Sequence, residues 1–246
     1  MDLNSSIAAS RLIAQQRAMD VTANNLANAN TPGFKLQRVQ FADWISRQTG
    51  ADVPRGGAAV AYAQDRATWR DQREGALSHT GNSFDLALTG DGYFTVGTDR
   101  GTRLTRDGRF GPLPDGTLAT STGDKVLDTN GQPIQIPPTA TQISIAGDGT
   151  ISGSAGLIGK IGVVQPVDPT KLQAEGGTLL NAPGGTTPVA APGVLQGTLE
   201  ESNIQPVLEV TRMMNDAREF QFLSQFIQAE NDRQQGAIDR LLPANG

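Results

Sequence analysis

The sequence predicts an α+β protein in which long helices at the two ends of the chain pair as an antiparallel coiled coil and a central antiparallel β domain lies between them. Three observations carry this. Apolar residues recur at helical spacing from about Leu3 to Ala29 and again from about Pro206 to Leu242. From Thr80 to about Leu199 the period changes to two, as in Phe84, Leu86 and Leu88 set against Asp85 and Ala87. Turn signals punctuate that middle stretch about every eight to twelve residues: Gly90-Asp91-Gly92, Asp107-Gly108, Pro114-Asp115-Gly116, Asn130-Gly131 and Gly147-Asp148-Gly149. The expected divisions are residues 1–34 (helix and helix stop), 35–79 (extended or hairpin connector), 80–200 (β-rich) and 201–246 (C-terminal helix).

The first helix carries two apolar stripes, Leu3, Ile7, Ala14, Ala18 and Val21 on one side and Ala8, Leu12, Met19 and Leu26 on another. A helix docked on a single core needs one stripe. Two stripes predict contact with more than one neighbour. The helix is then shut off by Asn24-Asn25-Leu26-Ala27-Asn28-Ala29-Asn30-Thr31-Pro32-Gly33-Phe34. Asparagine side chains compete for backbone hydrogen bonds. Asn30 is expected to take a left-handed cap, Pro32 forces Thr31 to be extended, Gly33 admits a positive φ, and Phe34 anchors the chain where structure resumes.

The connector has mixed signals. Phe41, Trp44 and Ile45 form a short apolar cluster, Gly50 to Gly57 reads as a loop, and Val60–Ala63 and Ala67–Trp69 read as two short strands of a hairpin-like extension. Its arginines (Arg38, Arg47, Arg55, Arg66, Arg70 and Arg73) alternate with acids and are expected on a solvated face. After the β stretch, residues 168–192 are rich in Gly, Pro and Thr and are expected to be irregular. The last helix starts at Pro206, a residue suited to a first turn. Val210, Met213, Ala217, Phe220, Leu223 and Ile227 make its stripe, interrupted by Asn231 and Gln234 and resumed at Ile238 and Leu241. At ~1.5 Å per residue this helix is about 55 Å long and the first about 40 Å. The seam between the two helices is the expected home of that stripe, with the eight acids from Glu200 to Leu242 on a solvated face.

Several function classes are excluded or disfavoured. The chain of 246 residues has no cysteine, so neither a disulfide nor a thiolate metal site is available. The single histidine, His79, has no nucleophile elbow or metal partner in view. The Asp-Gly pairs lack the ligand ladder of a calcium loop, and no glycine loop for a phosphate is present. A net charge of −5 with no basic patch argues against nucleic acid. No cofactor or metal is expected, no enzyme activity, and no membrane-spanning segment. No cleaved signal peptide is expected, since Met1 to Ser6 has neither basic residues nor a long apolar run.

Read together, these motifs resemble a known family. Asn24 to Lys35 is similar to the amino-terminal signature of the flagellar rod and hook axial proteins. Thr80 to Leu88, Gly90 to Phe94, Leu104 to Phe110 and Asp148 to Ser152 resemble that family's β domain, and Gln196 to Asn203 its exit. Thr178-Leu179-Leu180-Asn181 departs from the Asn-Leu-Tyr usual there. The resemblance implies a structural subunit of the bacterial basal-body rod in the periplasm, partnered by copies of itself and other rod subunits, and handled during secretion by the flagellar export apparatus. Length and the stretch Asp65 to Asp71 point to the proximal rod, with a distal-rod or hook-type subunit as the alternative. It implies that Leu12, Met19 and Leu26 on the first helix, with Met213, Phe220, Leu223 and Ile227 on the last, form the helix and subunit contacts. Asn24, Asn25 and Asn28 would then bond backbone at the helix end. A different class, a secreted glycan-binding β module with oligomerising tails, would require exposed aromatics on the β domain.

Overall fold

A computed structural model of the chain describes residues 3–48, 58–154 and 156–241. It divides into two compact units. One comprises residues 1–27, 37–71 and 205–246; the other comprises 28–36 and 72–204. The connector anticipated at 35–79 is therefore shared, its hairpin going with the helices and its last residues with the β unit.

The helical unit contains α1 (Leu3–Ala27), β1 (Gln37–Gln48), β2 (Ala58–Arg70) and α2 (Pro206–Leu241). Pro206 begins α2 as its fixed φ favours, and Glu209 lies in the first turn, where the helix dipole welcomes a negative charge. The two short strands expected after Val60 are one strand of 13 residues, paired antiparallel with a 12-residue partner. Alanine and arginine positions obscured that continuity in the sequence. An isolated two-stranded ribbon is marginal in water, and here α1 lies against both strands. The faces at Leu3, Ile7, Phe41, Trp44, Ile45, Ile238 and Leu241, the loop at residues 50–57 and the stop at Pro243 lie outside the described side chains and residues.

The β unit begins with the helix-stop segment and continues into β3 (Leu77–His79), β4 (Leu86–Thr89), β5 (Tyr93–Thr98) and β6 (Gly101–Thr105). β5 lies within the largest sheet, paired antiparallel with β6, with Lys125–Val126 and with Val163–Pro166. Its alternation sorts side chains onto two faces. Phe94 and Val96 enter the main core with Leu86, Leu118, Val126, Ile151 and Ile161, while Tyr93 joins a second cluster with Leu104 and Leu180. Phe94 and Phe110 meet edge to face, their ring centres 5.1 Å apart. The stretch expected to be irregular holds a short 3-10 turn at Pro169–Lys171 and three short strands. Leu180, within the segment that departs from the family pattern, pairs with Leu104 and is buried.

Candidate functional site: the helix pair and the helix stop

Within the helical unit, α1 and α2 run in opposite directions. Asn25, near the end of α1, bonds Glu209 at the start of α2, while Gln15 Nε2 donates to Asp216 Oδ1 at 2.9 Å further along both. The seven residues expected at contacts, Leu12, Met19, Leu26, Met213, Phe220, Leu223 and Ile227, are all half-buried. Among the described side chains of α1, the buried ones are instead Ala8, Val21, Thr22 and Asn25. Val210, placed in the seam stripe by its spacing, is exposed. With it, Val207, Met214, Phe222 and Phe226 form a second apolar face of α2, roughly opposite the half-buried one at about 100° per residue. On α1, Ile13 is exposed too. Arg11 and Gln15 on α1 and Arg218, Phe222 and Leu223 on α2 line a hollow of about 580 Å³ on this pair.

The asparagines of the stop have different fates. Asn25 does bond backbone, but that of β1: its Oδ1 accepts from Gln37 N–H and its Nδ2 donates to Gln37 C=O, both at 2.9 Å. It thereby pairs with Gln37 as a neighbouring strand would. Asn28 accepts locally, from Thr31 N–H at 3.1 Å through its carbonyl and from Thr31 Oγ1 at 3.2 Å through its side chain. Asn24 and Asn30 are exposed. Asn30 is not left-handed, a correction to the expected cap. The helix ends in successive turns closed by Thr31 N–H to Asn28 and Phe34 N–H to Thr31, and the one positive φ of the stop, +68°, falls on Gly33.

Gly33 is required twice over. A Cβ there would lie 2.3 Å from the backbone carbon of Arg106, and the left-handed conformation itself disfavours a side chain. Its N–H donates to the carbonyl of Glu200 at 2.8 Å. Beyond the half-buried Pro32, Phe34 is buried with Leu36 and Ile204.

Two buried carboxylates, neither anticipated, organise the surroundings. In the β unit, Glu200 Oε1 accepts from Lys35 Nζ and from Gly75 N–H, and Oε2 from Arg106 Nη1 at 3.1 Å. Lys35 also donates to Arg73 C=O at 2.8 Å, and Arg106 to Gly90 C=O at 2.6 Å. The Arg106 guanidinium sits 5.4 Å from the Tyr93 ring centre, a favourable cation–π arrangement. In the helical unit, Glu209 accepts a two-pronged contact from Arg38 at 2.8 Å for each prong. Arg212 at 3.1 Å and Asn25 at 3.2 Å complete its shell. Both glutamates are 1% exposed, so the solvated acidic face expected of the tail loses two of its members. The signal was present only as company: Lys35 and Arg106 fall inside quoted motifs, and Glu200 follows a buried leucine in a strand. Nothing in the local sequence separates such charges from surface ones.

The four aromatics from Thr80 onward in the β unit turn inward: Tyr93, Phe94 and Phe110 are buried and Phe84 is half-buried. Among the described residues of that stretch no aromatic is exposed to stack on a sugar. His79 is exposed on β3. No group of three or more potential metal ligands occurs among the described residues. No helix among the described residues is long and apolar enough to cross a membrane.

Long terminal helices with exposed apolar faces, continuous with a β unit through a glycine-dependent stop, are the arrangement that the resemblance to the rod and hook axial proteins implies. Comparison with known proteins agrees along the chain. Residues 6–35 match the family described as flagella basal body rod protein, 87–153 the flagellar hook protein FlgE/F/G D1 domain, and 195–240 the flagellar basal body rod FlgEFG protein C-terminal region. The chain is 34% identical over 243 residues to the flagellar basal-body rod protein FlgF of Caulobacter vibrioides, covering 98% of each. It is 36% identical over 219 residues to the FlgF of Mesorhizobium japonicum, covering 87% of this chain and 88% of that one. It is also 36% identical over 242 residues to the rod protein FlgG of Bacillus subtilis, covering 88% and 90%. The chain belongs to the flagellar basal-body rod protein family and is a FlgF-like structural subunit of the rod.

Proposed function

We propose that the chain is a torque-bearing subunit of the proximal rod. Its terminal helices pair as an antiparallel coiled coil and pack against those of neighbouring copies and other rod subunits, while the β unit forms the outer wall. In this reading it does no catalysis. It reaches the periplasm through the flagellar export apparatus. A head-to-tail contact that does not close on itself yields a helical array, which is the geometry a rod needs.

The observation that carries the assembly is the uncovered face of α2. Phe222 is 68% exposed and Phe226 47% exposed in the single chain. Covering what remains of those two rings is worth about 5–6 kcal/mol at ~25 cal/mol per Å² and ~200 Å² per ring. The double substitution Phe222→Ser and Phe226→Ser removes that contribution without touching the β-unit core. Purified protein should keep its β-unit unfolding transition, and a strain carrying it should lose rod assembly and motility. Normal rods in that strain refute the proposal.

A further inference from the structure

We propose that the cluster of Asn25, Arg38, Glu209 and Arg212 is the register pin of the helix pair: it fixes where α2 lies along α1, and so which residues the pair presents to a neighbouring copy. The consequence for neighbours rests on the assembly reading above, whereas the pin itself concerns the single chain.

The partly buried apolar residues include Leu12, Ala14, Ala18, Met19 and Leu26 on α1 and Met213, Ala217, Phe220, Leu223 and Ile227 on α2. Apolar burial is non-directional, so it favours pairing of the helices without by itself selecting one alignment. Polar groups at a seam are the best attested device for selecting one alignment among near-equals.

Glu209 and Asn25 supply that device. Each is sealed from solvent, at 1% and 0% exposure. The two carboxylate oxygens take two bonds each: Oε1 from Arg38 Nη2 and Arg212 Nη1, and Oε2 from Arg38 Nη1 and Asn25 Nδ2. Arg38 comes from β1, Asn25 from α1 and Arg212 from α2 itself, so three elements converge on one carboxylate. Asn25 is held independently, with its amide locked on both backbone groups of Gln37. Glu209 is equally fixed, in the first turn of α2 with its N–H bonded to Gln205 C=O at 3.1 Å. Displacing α2 by one turn moves the carboxylate about 5.4 Å. That exceeds the reach of every bond from Asn25 and Arg38 and strands a buried charge.

The absence of cysteine makes the test clean, since two introduced thiols are the only ones in the chain. Gln16→Cys on α1 and Gln221→Cys on α2 are both at exposed positions, and spin labels there report the distance between the helices in the full-length monomer. The parent pair should give one narrow distance. In Glu209→Leu, which removes the charge and keeps bulk, a second population should appear, shifted in keeping with a slide of about 5 or 10 Å along the helix. Arg38→Lys, which keeps the charge but loses the two-pronged contact, should give a smaller shifted fraction with helix content unchanged by circular dichroism. A broad distribution in the parent, or a single parental distance in both variants, overturns the pin. If the distances shift as stated and rods still assemble normally, the pin stands and the assembly reading fails.

Discussion

Replacing Lys35 with methionine tests whether the Glu200 cluster holds the β unit together. The lysine ammonium makes two bonds that methionine cannot, to Glu200 Oε1 and to Arg73 C=O. Its side chain is 5% exposed and that of Glu200 fully covered, so water cannot replace either partner. Removing one member of a buried ion pair costs about 3–5 kcal/mol. The lower end applies here, because Arg106 and Gly75 N–H remain on the carboxylate and the repulsion between Lys35 and Arg106 is relieved. A loss of about 3 kcal/mol corresponds to about 6–12 °C in a unit of this size. The assay is urea unfolding of the full chain, read as a midpoint shift at unchanged m-value. The internal control is Lys160→Met, the same chemical change at a lysine whose pair with Asp148 is open to solvent and should matter little. Equal shifts for the two variants would show that burial of the Glu200 cluster contributes nothing, and the reasoning would be wrong.

Two further outcomes are expected. Gly33→Ala should destabilise the β unit by about 3 kcal/mol or more, since backbone strain of about 1–2 kcal/mol adds to a clash with backbone. Gly81→Ala, at φ +74° with nothing within 4 Å of the added carbon, should show the strain alone, so that the difference between the two midpoints reads the contact at Arg106. Burial holds the Asp107 carboxyl above its usual range, opposed by the N–H and charge of Arg109. A carboxyl raised in the folded state binds its proton more tightly there than in the unfolded chain. Its contribution is therefore fully present below the unfolded value of about 3.8 and lost as pH rises through the folded one. Asp107→Asn keeps the acceptor and removes the charge, so it should be more stable than the parent at neutral pH, with the advantage vanishing in acid. Denaturation curves across pH decide it, and an advantage that grows in acid refutes it.

Much of the architecture was legible because it is written locally. A period of 3.6 or 2 declares itself over a dozen residues, and Pro206 and Gly33 mark their positions by what their backbones can and cannot do. The inward turn of Phe94 and Val96, against Tyr93 on the other face, follows from alternation alone. What the sequence hid is non-local. Lys35 and Glu200 are 165 residues apart, and Arg38 and Glu209 171 apart. A charge that will be buried looks on paper like one that will be solvated. Asn25 was expected to bond backbone, but which backbone depended on β1 folding over α1. Asn30 shows the opposite limit: its residue type permits a left-handed cap, and Gly33 three positions later takes that conformation at lower cost.

The spacing of the two carboxylates has a consequence for how the chain acquires its structure. Lys35 and Arg38 stand three residues apart, and Glu200 and Glu209 nine apart, so the same two stretches of chain are tied once within the β unit and once within the helical unit. Closing a loop of 171 residues for the Arg38–Glu209 pair is entropically costly from an open chain. Once Lys35 and Glu200 have met, the remaining loop is only about a dozen residues, which on a logarithmic dependence saves about 2 kcal/mol. The β unit can therefore fold first on its own core and present the start of α2 to the end of α1 already close in chain terms. Such an order would let the unit with the larger apolar core form before the helices, whose α2 leaves Phe222 and Phe226 exposed in the single chain.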